Sequence, residues 1–266
     1  MKQKIKVRNK YFRRYLGVIF ASLFFILGPF SGTALADAGF TVTESSGSTA
    51  VSESGSTDTF TVVLDEQPSS DVVFSVSTGD SGEATVSPTT LTFTSGNWNS
   101  AQTVTVTGVN DDLIDGSQTT TITLSVVDAI SDDDFDSLAD KTVSVSTTDN
   151  DTASFTVAQS SGSTAVSESG STDTFTVVLG AQPASNVVIS VTSGDTGEAT
   201  VSPATLTFTS GNWNSAQTVT VTGINDDLVD GTQTSTTTMS VVDASSDNNF
   251  DSLADQTVSV TTADTD

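Results

Sequence analysis

The 266-residue chain contains no cysteine and no histidine. Without them it can build no disulfide framework, no thiolate zinc site, no Ser-His-Asp triad and no Cys-His dyad. Cationic side chains are scarce, and the few present are segregated. Lys2, Lys4, Lys6, Arg8, Lys10, Arg13 and Arg14 crowd the first fourteen positions, and beyond them stands Lys141 alone. Every acid lies at or after Asp37, so residues 37–266 set one lysine against 33 Asp and Glu, a formal charge of −32 over 230 residues. A chain of that sign cannot neutralise a phosphate backbone or an anionic membrane surface, which excludes nucleic acid as a partner. The partner it calls for is a cation.

The basic start is followed by a nearly continuous apolar run, Tyr15 to Phe30, and then by Ser31-Gly32-Thr33-Ala34-Leu35-Ala36. This order of basic, apolar and small residues predicts a secretory signal peptide over residues 1–36, cleaved between Ala36 and Asp37. The alternative is an uncleaved signal anchor, for which a run of sixteen residues with Pro29 near its end is short. In both cases residues 37–266 are expected outside the cytoplasm, secreted or at the cell surface. No cysteine follows the run to carry a lipid. An exported chain without disulfides must draw its stability from its core, from metal, or from both.

The rest of the chain is one unit written twice. Residues 40–151 align with 155–266 at a constant offset of 115, without a gap and with 24 differences in 112 positions. A repeat of this length suits a whole domain better than a solenoid element. The expected domains are therefore 37–152 and 153–266, joined end to end by about three residues. The second copy stops where a third would start, as in a fragment of a longer array.

Within a copy the hydrophobic period is two. Phe60-Thr61-Val62-Val63-Leu64, Val72-Val73-Phe74-Ser75-Val76, Thr103-Val104-Thr105-Val106-Thr107 and Thr142-Val143-Ser144-Val145 read as strands separated by Gly, Pro, Asn and Asp. No helical period of useful length follows residue 37. About seven strands in such a unit predict an all-β fold of two tandem, antiparallel, Ig-like β-sandwiches.

If successive strands alternate in direction, one pole of the first sandwich collects Glu53, Asp80, Glu83, the loop Asn110 to Gly116 with Asp111, Asp112 and Asp115, and the exit Asp149-Asn150-Asp151. In the second copy the same pole collects Glu168, Asp195, Glu198, Asp226, Asp227, Asp230, Asp264 and Asp266. Calcium takes six to eight oxygen ligands from irregular loops, and such acids without a nearby cation repel one another. Gly116 and Gly231 would let the backbone turn a carbonyl toward the ion. The competing reading is a solvated acidic surface that preserves solubility. The acids from Asp132 to Asp136 are read as solvated charge, because Asp133 and Asp134 become Asn248 and Asn249. Trp98 and Trp213 are expected to cap the core rather than to stack on a sugar.

Val51-Ser52-Glu53, Leu91-Thr92-Phe93, Thr103-Val104-Thr105-Val106, Asn110-Asp111-Asp112 and Asp149-Asn150-Asp151 together resemble the Calx-beta pattern. That family includes the calcium-sensing domains of sodium/calcium exchangers and tandem repeats of bacterial surface and adhesin-like proteins. The resemblance implies Ca2+ ligands at Glu53, Asp111, Asp112, Asp149 and Asp151, and at Glu168, Asp226, Asp227, Asp264 and Asp266. The family's acids after the Asp-Asp pair are commonly Glu, and this chain offers only Asp115 and Asp230 there. Its stretch from Gly79 to Pro88 also departs from the family's mid-domain pattern.

The expected function is a calcium-stiffened stalk or adhesion element whose partners are calcium ions, neighbouring repeats and a surface protein or glycan. A metal-independent acidic spacer is the alternative. A glycosidase using two carboxylates is set aside, because duplicated acids confined to pole loops suit a spacer better than a cleft.

Overall fold

Alternation of Thr and Ser with Val, Phe, Ile and Leu builds every strand of the protein. The computed structural model describes residues 38–266, so the expected signal peptide over 1–36 lies outside the described residues. Residues Asp37–Asp266 form one compact unit. Its first half runs β1 (Phe40–Glu44), β2 (Thr49–Ser52), β3 (Thr57–Leu64), β4 (Val72–Thr78), β5 (Ala84–Ser87), β6 (Thr90–Phe93), β7 (Gln102–Gly108), β8 (Gln118–Val126) and β9 (Lys141–Thr148). The second half repeats this as β10 (Phe155–Gln159), β11 (Thr164–Ser167), β12 (Thr172–Leu179), β13 (Val187–Ser193), β14 (Ala199–Ser202), β15 (Thr205–Phe208), β16 (Gln217–Gly223), β17 (Gln233–Val241) and β18 (Gln256–Ala263).

Each half is a sandwich of a four-stranded and a five-stranded sheet. In the first, the orders are β1-β3-β7-β5 and β2-β9-β8-β4-β6, and the second repeats both. The inward positions form the core. Phe60, Val62 and Leu64 of β3 face Phe74, Phe93, Leu124 and Val145 of the opposite sheet, all buried. Phe74 meets the Phe40 ring at 4.7 Å and the Phe93 ring edge-on at 6.0 Å, geometries that aromatic pairs favour. Trp98 and Trp213 pack, partly buried, against the two cores.

The entry of the chain is shared between the sheets. β1 pairs antiparallel with β3, the backbone turns through Gly47 in the left-handed region, and β2 crosses to lie parallel beside β9. Asp58 of β3 holds this crossover, accepting from the Ser45 hydroxyl at 2.6 Å and from the Ala50 amide at 3.0 Å. The structure thus adds two short strands, β1 and β5, and one parallel pairing to the antiparallel pattern expected of each copy.

One expectation is corrected at the far pole. Asp132 is not solvated: it is 4 % exposed, and its carboxylate accepts from the Ser69 amide (2.6 Å), the Ser69 hydroxyl (2.8 Å), the Ser70 amide (2.8 Å) and the Asp134 amide (3.1 Å). Asp133 and Asp134 are exposed, as expected, but Asp136 is half-buried and one of its carboxylate oxygens is buried without a hydrogen-bond partner. Those donors, led by Ser70, hold the Asp132 carboxyl down at about 2. A depressed carboxyl stabilises the fold above its ordinary value of 3.8, and that contribution is lost as pH falls through about 2. Replacing Asp132 by Ala leaves these donors without an acceptor and is expected to destabilise the first sandwich by about 3 kcal/mol. Urea unfolding at pH 7 measures this, and an effect below about 1 kcal/mol would refute the latch.

Among the described residues, one loop of the first sandwich reaches the second. The Gln182 amide donates to the Asp112 carbonyl at 2.7 Å and the Ile114 amide to the Gln182 carbonyl at 3.2 Å. The Asn249 Nδ2 donates to the Ile114 carbonyl at 3.0 Å, and the Ile114 side chain packs against the second core.

Candidate metal centre

The candidate site is built where β2 ends, β7 ends and β9 leaves the sheet. Glu53 follows β2 directly, its amide tied to the Thr148 carbonyl at 3.1 Å, and its side chain is 2 % exposed. β2 can lie this close to β7 because position 108 is glycine. A Cβ there would run into the Ser52 carbonyl oxygen and stand only 2.7 Å from the carbonyl carbon.

The loop after β7 is ordered from within. The Leu113 amide donates to Asp111 Oδ1 at 2.8 Å, and Asn150 Nδ2 reaches Asn110 Oδ1 at 3.1 Å. Gly116, at φ 72°, turns its amide onto Asp149 Oδ2 at 2.8 Å, while Asp149 Oδ1 accepts from the Asp151 amide at 2.6 Å. Asp149 is therefore a clamp that joins the loop to the exit. Asp264 repeats it on the Gly231 and Asp266 amides, at 2.7 and 2.9 Å. These two donors hold the Asp264 carboxyl below its ordinary range, the Asp266 amide contributing most.

With the frame set, the acids converge. Glu53, Asp111 and Asp151 each bring a carboxylate oxygen within 4.8 Å of the others. In the second sandwich Glu168, Asp226 and Asp266 do the same, and Glu168, Glu198 and Asp230 form a further group. Oxygens ligating one calcium at about 2.4 Å cannot stand more than about 4.8 Å apart, so these spans fit a single ion.

Of the residues singled out in the sequence, Glu53, Asp111, Asp151, Glu168, Asp226, Asp230 and Asp266 fall in these groups. Asp112, Asp115, Asp149, Asp227 and Asp264 do not. Asp112 and Asp115 are exposed at the loop surface, and Asp227 is exposed with its backbone left-handed at φ 61°.

Glu198 is not among the expected ligands, nor is its counterpart Glu83. Strand direction, the available signal, places both at this pole, but their loop departs from the family pattern. Glu198 is 7 % exposed.

The electrostatics are those of crowded, desolvated acids. Burial pushes the Glu53, Glu83 and Asp151 carboxyls above their ordinary range, and neighbouring acids add to it: Asp149 and Asp111 on Glu53, Asp115 and Asp111 on Glu83, Asp149 and Asp112 on Asp151. The Asn150 amide, donating to Glu53 Oε2 at 3.1 Å, works in the opposite direction. Glu168 and Glu198 are raised for the same reasons, burial first. Oxygens of Glu83, Asp151 and Glu198 are buried without any hydrogen-bond partner. Lys141, the one cation after Arg14, cannot relieve them. It sits at the opposite end of β9, its ammonium bonded to the Phe40 carbonyl and 4.7 Å from the Phe40 ring centroid.

No protein-family model matches the chain, and no curated protein matches it in sequence. Among solved structures it is similar to the calcium-binding domain CBD12 of CALX1.1, with 15 % identity over 76 % of this chain and 79 % of that one, at a TM-score of 0.32. It is similar to domains 4 and 5 of the S-layer protein SbsC, with 16 % identity over 86 % of this chain and all of that one, at a TM-score of 0.32. It also resembles SSP-19, an MSP-domain-like protein of Caenorhabditis elegans, with 15 % identity over 40 % of this chain and 97 % of that one, at a TM-score of 0.28. Likeness at this level carries no functional argument; the all-β sandwich rests on the strand order itself.

Proposed function

We infer that the protein is an exported, non-catalytic tandem module in which calcium held at one pole of each sandwich stiffens a stalk or adhesion element at the cell surface. The units of this reading are a signal peptide over 1–36 and domains over 37–152 and 153–266. The observation that carries it is the pair of buried, partnerless carboxylate oxygens on Asp151 and Glu198, within acidic groups that no lysine or arginine among the described residues approaches. A buried acid of this kind costs free energy unless a cation meets it. The residues present fit a hard divalent ion, for every donor is an oxygen and the loops leave room for irregular coordination. Glu53, Asp111 and Asp151 would hold it in the first copy, and Glu168, Asp226 and Asp266, with Glu198 and Asp230, in the second. Asp149 and Asp264 would keep the loops in shape rather than bind.

Binding also has a direct route to the joint between the sandwiches. The loop that carries Asp111 presents the Asp112 carbonyl and Ile114 to the second copy. Fixing Asp111 therefore fixes the loop at that contact.

Calorimetric titration of residues 37–266 with calcium tests the reading. Saturable binding is expected with a Kd on the order of 10⁻⁴ M or tighter. Asp111→Asn with Asp151→Asn should abolish the first copy's share and leave that of the second. If magnesium competes equally and sodium chloride displaces both, the acids are only a solvated surface and the metal-independent spacer is the better account.

A further inference from the structure

The two copies differ in acid content in one direction only, and nearly all of that difference lies at one place, where Gln256 also replaces Lys141. Six acids of the first copy are uncharged in the second, and no acid is gained. Five of the six, Asp65, Glu66, Asp71, Asp133 and Asp134, belong to the pole opposite the candidate metal site, where the second copy carries Gly180, Ala181, Asn186, Asn248 and Asn249. All eight acids of the metal pole are retained between the copies. The opposite pole keeps Asp243, Asp247, Asp251 and Asp255, so the loss there is confined to five positions.

The contact between the sandwiches explains the pattern. The second copy's pole, which keeps Asp243, Asp247, Asp251 and Asp255 but none of the other five acids, receives the Leu113–Ile114 tip of the first through Gln182 and Asn249. Ala181 is 1 % exposed there. The tip arrives flanked by Asp111, Asp112 and Asp115, so acids on the receiving side would face acids across a desolvated gap. Asn249 must donate a hydrogen to the Ile114 carbonyl, and an ionised Asp at that position has none to give.

The same tip recurs in the second copy as Leu228 and Val229, and there it is bare, 58 % and 82 % exposed. We propose that Leu228–Val229 is a docking surface for the receiving pole of another sandwich of this kind, one that lacks acids at the positions of Gly180, Ala181, Asn186, Asn248 and Asn249. We further propose that Asp65, Glu66, Asp71, Asp133 and Asp134 keep a second copy of this chain from occupying it. The occupant is thus a β-sandwich domain with small or amide side chains at those five positions. An asparagine equivalent to Asn249 would bond the Val229 carbonyl. The built contact at Leu113–Ile114 is the template. The proposal rests on packing and charge and does not need the calcium reading to hold.

Sedimentation velocity on residues 37–266 decides it, in calcium and again in EGTA. The parent chain is expected to sediment as a monomer. A variant carrying Asp65→Gly, Glu66→Ala, Asp71→Asn, Asp133→Asn and Asp134→Asn, each the residue the second copy already tolerates, is expected to form head-to-tail species of twice the mass and more as concentration rises. Adding Leu228→Ser and Val229→Ser should return it to monomer. The proposal is overturned if the five-fold variant stays monomeric in both buffers, or if its association survives loss of Leu228 and Val229. It also fails if the parent chain associates as strongly as the variant.

Discussion

In millimolar calcium, residues 37–266 are expected to melt about 10 °C higher than in EGTA, with magnesium at matched ionic strength giving little of that rise. A ligand at a hundred times its Kd stabilises the native state by about 2.7 kcal/mol per site. For a sandwich of this size each kcal/mol moves the melting temperature by about 4 °C. The pH dependence gives the effect a second signature. The Glu53, Glu83, Asp151, Glu168 and Glu198 carboxyls are raised by burial and by one another, so the folded state binds their protons more tightly than the unfolded chain. Without calcium, stability therefore falls as pH rises above the ordinary carboxylate range toward neutrality. With calcium the ion replaces those protons, and the gap between the two melting curves should widen over the same interval. A gap that stays constant with pH, or that sodium chloride reproduces, would count against coordination by these groups.

Gly108→Ala should cost the first sandwich about 3 kcal/mol, and Gly223→Ala the second as much. A methyl at 108 would collide with the Ser52 carbonyl oxygen and lie 2.7 Å from its carbon, and at 223 it would meet the same atoms of Ser167, the carbon again at 2.7 Å. These are backbone atoms of β2 and β11, so relief requires moving a strand rather than turning a side chain. The strand that moves bears Glu53 or Glu168 at its next residue. The variant should therefore lose stability and, in that copy alone, the increment calcium brings. Gly96→Ala is the control: its methyl would approach nothing closer than Thr94 Oγ1 at 3.7 Å, and the expected change is within about 0.5 kcal/mol. Denaturant unfolding with and without calcium separates the two effects. Equal costs at 96 and 108 would show that the close approach of β2 to β7 is unimportant.

Much of this architecture is legible from the order of residues. The duplication fixes the unit, period-two alternation finds most strands, and loop order alone gathers Glu53, Asp111 and Asp151 at one pole. What escapes has physical reasons. β5 is only Ala84-Thr85-Val86-Ser87, too short to show alternation, and it exists because the edge of β7 offers Val106 and Gly108 for pairing. The parallel partnership of β2 and β9 joins strands about a hundred residues apart, a relation local pattern does not encode. Asp149 looks like a ligand because it is an acid beside ligand candidates, yet its oxygens accept backbone amides from two segments. Asp132 sits in a run of acids and reads as surface; only the fold of the Ser69–Ser70 turn over it makes it a buried latch.

The parallel pair has a consequence for how the tandem responds to tension. A pull along the array enters each sandwich through its first strands and leaves through its last. β2 and β9 lie side by side and point the same way, in register from Thr49 opposite Val145 to Ser52 opposite Thr148, and β11 and β18 repeat this from Thr164 opposite Val260. Opposed forces on such a pair slide one strand along the other, so the bonds between them share the strain and must fail together. In a hairpin opened at its ends they would break singly, in succession. Each sandwich therefore carries, at its point of entry, a shear-loaded fastening that gives way all at once.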